Sequence, residues 1–120
     1  MRSFLVTLAL FAFVCGVIFS NFKYINKTAE HITALVSEDI FTADPKAAID
    51  DLEAFWQKSL PRVGLSVGYK ELDRMSDLLL DLRTYFELGN YSEVSRIRVL
   101  IRETASEISR LEKISIENLL

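Results

Sequence analysis

Hydrophobic and polar positions divide this chain near residue 22. Residues 3–22, SFLVTLALFAFVCGVIFSNF, contain no charged side chain. Beyond them the pattern changes to apolar residues recurring at three- and four-residue steps among charged ones, the period of amphipathic helices. Ile25, Thr28, Ile32 and Leu35, with Ala29 and Val36 beside them, predict that the apolar helix runs on toward Ser37. Residues 38–43 read as a connection. Asp44-Pro45 marks a helix start, with Asp as N-cap and Pro at the first helical position, where a missing N–H is harmless. Ala48, Ile49, Leu52, Phe55 and Trp56 form its apolar face, and Pro61 is expected to end or kink it. Residues 62–69 show no helical period and read as a loop or kinked turn.

The next helix opens near Lys70. Leu72, Met75, Leu79, Leu82 and Phe86 step along one face, and Leu78 and Tyr85 widen it. Gly89 is a C′ residue, and Asn90 with Glu93 has capping-box spacing. Val94, Ile97, Ile101, Thr104, Ile108 and Leu111 then mark a last helix, with Leu100 at the flank. So short a turn makes an antiparallel hairpin, in which Met75 lies level with Thr104, Leu78 with Ile101 and Leu82 with Ile97. The tail at 113–120 keeps Ile114, Ile116, Leu119 and Leu120 and is expected to pack rather than fray. The predicted fold class is all-α: an N-terminal transmembrane helix followed by a small antiparallel helical bundle. Its divisions are residues 1–22 as anchor, 23–43 as juxtamembrane helix and connection, and 44–120 as bundle.

The apolar stretch is just long enough to span. At ~1.5 Å per residue, about 20 residues cross a hydrocarbon core ~30 Å thick. Phe19, Phe22 and Tyr24 with Lys23 and Lys27 resemble an interfacial belt with snorkelling lysines. A cleaved signal peptide would need small residues in an A-x-A-like pattern, and Ile18 before Ser20 fits that poorly. A lipoprotein signal at Cys15 would need a small residue where Val14 stands. Cys15 is better read as a small apolar member of the span. Arg2 precedes the span and Lys23 and Lys27 follow it, so the charge bias is nearly balanced. The two-residue tail predicts a signal anchor with the N-terminus inside and the bundle outside.

Composition narrows the function. Residues 28–120 hold 11 of the 14 basic side chains and all 17 acids, a balance of −6. That is a poor footprint for nucleic acid, whose phosphates call for a basic face. A single Cys excludes an intramolecular disulfide.

Chemical motifs are sparse. Gly64-Leu65-Ser66-Val67-Gly68 has the letters of the G-x-S-x-G nucleophile elbow. The elbow needs a strand before it, a helix after it and a His late in the chain. Here there is no βαβ pattern, and the only His, His31, precedes the Ser. His31 alone makes no metal site. Asp73, Asp77 and Asp81 form a ladder without the Glu-x-x-His pairs of a metal bundle, so it reads as a solvated face, with Asp77 and Asp81 within reach of Arg102 and Arg98. Trp56 and Phe55 read as core. No catalytic, cofactor-binding or metal residue is assigned. Asn26 and Asn90 begin formal glycosylation sequons, but Asn26 is too near the span and Asn90 serves better as a cap.

The chain also carries FSNFKYINKTAEHI after the span, Leu52 and Trp56, ELDRMSDLLLDLRTYF, the return helix RIRVLIRETASEI and the closing ISIENLL. In these it resembles, over nearly its whole length, the small membrane-anchored proteins of Gram-positive, often spore-forming bacteria grouped as domain of unknown function 4363. A His expected shortly before the ELDRM-like segment is Tyr69 here. The resemblance implies a bacterial membrane location, which makes glycosylation irrelevant, and no activity, ligand or site residues. The expectation is a non-enzymatic interaction or accessory module, meeting the bilayer through residues 3–22 and another membrane or envelope protein through its bundle. A homo-oligomer is compatible with it. The rival is a ligand- or lipid-sensing bundle with a pocket lined by Trp56, Tyr85 and Phe86.

Overall fold

The computed structural model describes residues 2–64 and 68–119, with the side chains of 69, 115, 116 and 119 set aside. It contains five helices: α1 (Arg2–Leu35), α2 (Glu38–Ala43), α3 (Pro45–Val63), α4 (Tyr69–Glu87) and α5 (Tyr91–Leu119). There is no strand among the described residues.

The first helix is uninterrupted for 34 residues. Its N-terminal portion is long and apolar enough to cross a membrane and is not buried by the rest of the molecule. Its second portion turns Ile25, Thr28, Ala29 and Ile32 into the core. The apolar helix therefore continues into the bundle without a linker, as the periodicity predicts. Chain direction alternates through α1, α3, α4 and α5. Contacts run from α1 to α5, α5 to α4, α4 to α3 and α3 back to α1. This is a four-helix ring with antiparallel neighbours. The molecule is 67 Å long and about 20 Å wide, because the free portion of α1 projects from one end.

Residues 38–43 are helical, where a connection was expected. Ser37 holds the N-cap position, Glu38 and Asp39 sit in the first turn, and Phe41 is buried at 4% exposure. Two acids at a helix N-terminus favour the positive end of its dipole, and one buried ring docks the turn. Six residues are too few for a period to show. Asp44 then caps α3 by accepting from the Ala47 amide at 3.2 Å. Of the two outcomes expected at Pro61, an end or a kink, the first does not occur: α3 runs on to Val63 with Gly64 as its C-cap. Arg62 and Val63 thus belong to a helix rather than to the loop read at 62–69. Pro61 gives no amide to the carbonyl of Gln57, but only two helical residues follow it, so little of the helix lies beyond the lost bond.

The hairpin between α4 and α5 closes as predicted. Gly89 has φ +72°, the amide of Gly89 donates to Phe86 O at 3.1 Å, and the amide of Asn90 donates to Tyr85 O at 3.0 Å. These two bonds make a Schellman motif. Asn90 Oδ1 accepts from the Glu93 amide at 3.4 Å. The reciprocal half of the capping box is missing for a physical reason. The Asn90 amide is already engaged, and the Glu93 carboxylate turns to Arg96 instead.

The core is a single cluster drawn from all five helices. Ile25, Ile49, Leu52, Met75, Leu82, Ile97 and Ile101 are all at 1% exposure or less. Trp56 is at 2% and donates its Nε1–H to Ser76 Oγ at 2.9 Å. An indole can be buried this deeply when its one polar atom finds a partner. Phe55 is half-buried beside this core. The tail stays helical to Leu119, but Ile114, expected to pack, is exposed at 39%, and the packing expected of Ile116, Leu119 and Leu120 falls outside the described residues.

Candidate functional site

Among the described residues, the pairing of α1 with α5 builds a surface concavity larger than the two described after it. Two cross-ties fix its ends. Near the projecting end, Ser109 Oγ donates to Asn26 Oδ1. At the far end, Arg98 donates through Nε and Nη2 to Val36 O, at 3.1 and 2.8 Å. Between them lies a groove of 920 Å³. One wall includes Ala29, Thr33 and Ala34 of α1 and Ser37 just past it, and the α5 wall includes Arg102, Ser106 and Arg110. Thr33 turns its hydroxyl back to Ala29 O at 2.8 Å. Short side chains on both helices leave the space open, and Glu30, Glu103, Arg102 and Lys113 bring both signs of charge to it.

Electrostatics around this groove have identifiable causes. The hydrogen bond from Arg110 holds the Glu107 carboxyl below its ordinary range. Burial lowers the pKa of Arg98, Glu38 opposes that shift and Arg102 adds to it. The Arg98 guanidinium also stacks over Phe41, 4.5 Å from the ring centroid. Neither arginine expected to meet the aspartate ladder does so. Arg98 turns to the α1–α2 junction and Arg102 lines the α1 groove, because both lie on the face of α5 that packs toward α1.

A second concavity of 560 Å³ lies between α3 and α4. It is lined by Asp50, Glu53, Trp56, Ser76, Leu80 and Arg83 among others, with neither Tyr85 nor Phe86 in its walls. Arg83 joins the two helices there. Its Nε donates to Glu53 Oε1 at 2.6 Å, its Nη2 to Glu53 Oε2 at 2.9 Å, and Nη2 also reaches Asp50. A third concavity, of 320 Å³, carries the alternating charges of Lys70, Glu71, Arg74, Glu103 and Glu107 and has the character of a solvated surface. No family model, curated protein or solved structure matches this chain.

Among the described residues, those singled out for chemistry are not brought together. His31 is exposed and stacks on Phe55, ring centroids 4.2 Å apart and planes at 48°. Ser66 lies outside the described residues, between α3 and α4. Asp73, Asp77 and Asp81 are exposed along α4. Among the described residues no group of three His, Cys, Asp or Glu side chains is placed to hold a metal ion. Among the described residues the three concavities are open grooves rather than enclosed cavities. Open grooves suit the side chains of another macromolecule better than a small ligand, most of whose surface a pocket must enclose. Sequence reasoning missed the α1–α5 groove because its small residues are scattered over two segments far apart in the chain.

Proposed function

We propose that this chain is a single-pass membrane protein whose bundle is a non-enzymatic docking module for another membrane or envelope protein. One observation carries the reading: α1 passes from the apolar segment into the bundle core as one helix. A tethered domain on a flexible linker samples many heights and orientations. A domain whose core includes the anchor helix presents its faces at a fixed height and angle to the bilayer. Fixed presentation lowers the entropic cost of meeting a second membrane-held surface. The α1–α5 groove is the docking face in this reading, being larger than the two other grooves described and running along the anchor helix itself.

The test is affinity purification of the full chain from native membranes after mild crosslinking, with mass spectrometry. A stoichiometric membrane protein that is lost in Ser106→Arg, an exposed groove position, supports the reading. Recovery of the chain alone, or equally with and without the substitution, refutes the docking role or its placement in the groove. The bundle is taken to face outward. Its orientation is tested with Tyr91→Cys in a Cys15→Ala background, Tyr91 being exposed. Modification in intact cells by a membrane-impermeant maleimide supports an outward bundle, and modification only after lysis places bundle and partner in the cytoplasm.

A further inference from the structure

The register between α1 and α5 has a consequence for where the bundle ends. Antiparallel helices rise equally per residue, so paired positions keep a constant sum. Asn26 with Ser109 and Val36 with Arg98 both obey that rule to within one residue. Carried along α5, which stays helical to Leu119, the same register sets Ile114 level with Asn21 and Leu119 level with Gly16. The last turns of α5 therefore run beside the apolar segment, not beneath it.

Two further observations agree. In residues 2–20 all but Cys15 and Ile18 are exposed, and those two are partly covered, as are Asn21 and Phe22 after them. Cys15, Ile18 and Phe22 step by three and four and continue into Ile25, Ala29 and Ile32, the stripe that packs in the bundle. The end of α3 reaches the same level: Arg62 Nη2 donates to Ser20 Oγ at 3.3 Å, and its guanidinium lies 4.1 Å from the Tyr24 ring centroid. Lys23 Nζ lies 5.0 Å from the Phe19 ring centroid. Arg62 and Lys23 are thus long cations lying over aromatic rings at the boundary, the disposition of interfacial anchors.

Length decides where the bilayer must lie. Residues 3–22 cover about 30 Å as a helix, the thickness of the hydrocarbon core. Residues 3–15, the part that α5 leaves bare, cover only about 20 Å. A bundle held wholly above the membrane would leave the span about 10 Å short. We infer that the last two turns of α5, residues 113–119, enter the adjoining leaflet beside the anchor, so that the bundle is seated in the bilayer surface. The inference rests on the reading of α1 as a membrane span. The occupant of this end is lipid at headgroup depth: Ile114 is an exposed apolar side chain at 39%, while Lys113, Glu117 and Asn118, also exposed, and Arg62 reach the polar headgroups.

The test uses the full chain with Cys15→Ala, reconstituted in phosphatidylethanolamine–phosphatidylglycerol vesicles. An environment-sensitive fluorophore is placed singly at Phe11→Cys, Tyr91→Cys, Lys113→Cys or Asn118→Cys, all exposed positions. Quenching is compared between aqueous iodide and nitroxide-bearing lipids. The expected result is that 118 is severalfold less sensitive to iodide than 91, is quenched by the lipid nitroxide, and lies deeper than 113. A probe at 118 that behaves like 91 while 11 is protected overturns the inference and leaves the anchor intact. Free access of iodide to 11 overturns the anchor reading and the inference together. Unchanged Trp56 emission identifies the variants that keep the fold.

Discussion

Arg98 on α5 caps the end of α1 by donating two hydrogen bonds to the carbonyl oxygen of Val36, the residue just past that helix. The last carbonyls of a helix have no partner within it, and they carry the negative end of its dipole. A cation supplied by another helix answers both needs. It also ties α5 to α1 across 62 residues of sequence. Hydrogen bonds involving a charged group contribute ~1.5–3 kcal/mol each to stability. Sharing one acceptor and partial exposure bring the pair toward the low end. Arg98→Ala is expected to destabilise the chain by about 2 kcal/mol in chemical denaturation followed by Trp56 fluorescence. Arg98→Lys should recover less than half of that, since an ammonium lacks the planar fork that both reaches Val36 O and stacks on Phe41.

Ser59 points the other way. It is fully buried, at a position that continues the α3 stripe of Leu52, Trp56 and Val63, and its Oγ has no hydrogen-bond partner. Leaving a polar atom buried and unpaired costs ~1–3 kcal/mol. Ser59→Ala removes that atom with little change in volume and improves helix propensity. The expected outcome is a gain of about 1 kcal/mol, read as a higher denaturant midpoint with an unchanged slope. A loss of stability would mean that the hydroxyl makes a contact on which the core depends.

These two residues also mark what was legible in the sequence and what was not. The buried stripes of α1, α3, α4 and α5 were readable because each helix is long enough to show its period. The α4–α5 register was readable because Gly89 and Asn90 fix a tight turn. The α1–α5 pairing was not. Its register depends on Asn26 meeting Ser109 and Val36 meeting Arg98, and no local signal announces contacts between such distant segments. Arg98 was accordingly matched to Asp81, its neighbour across the hairpin. The groove that α1 and α5 enclose was hidden for the same reason, and α2 because a single buried Phe41 makes no pattern.

Gly89 tests the turn directly. At φ +72° a side chain is strained even though an added Cβ would meet no other atom within 4 Å. Left-handed backbone costs a non-glycine residue about 1–2 kcal/mol. Gly89→Ala is expected to lower stability by about 1 kcal/mol, and Gly89→Asn by less, because Asn tolerates that conformation better. An equal effect of the two substitutions in the same denaturation assay would assign the loss to something other than backbone strain.

Arg83 clamps α3 to α4, and its strength should depend on salt. Its side chain is 29% exposed, with Glu53 at 35% and Asp50 at 52%. Exposed ion pairs contribute ~0–1 kcal/mol and are screened within ~8–10 Å at ordinary ionic strength. The fork of Arg83 on Glu53 places this pair near the top of that range. Arg83→Gln is expected to destabilise by about 1 kcal/mol at low salt and by clearly less at 1 M. An effect independent of salt would show that the arginine acts by packing beside Trp56 rather than by charge.

Glu107 gives a pH test with a definite sign. Its hydrogen bond from Arg110 lowers its folded pKa below the ordinary 4.5. A carboxyl whose pKa falls on folding binds fewer protons folded than unfolded between the two values. Its contribution is therefore fully present above 4.5 and disappears as pH falls through the folded value. The side chain is 44% exposed, so the direct observable is its own titration by carbon-detected NMR of the side-chain carboxyl. In the intact chain Glu107 should titrate below 4.5. In Arg110→Gln its midpoint should rise toward that value, and the acid-side stability profile should flatten. If the midpoint does not move in Arg110→Gln, the hydrogen bond between the two side chains is not what holds the carboxylate ionised.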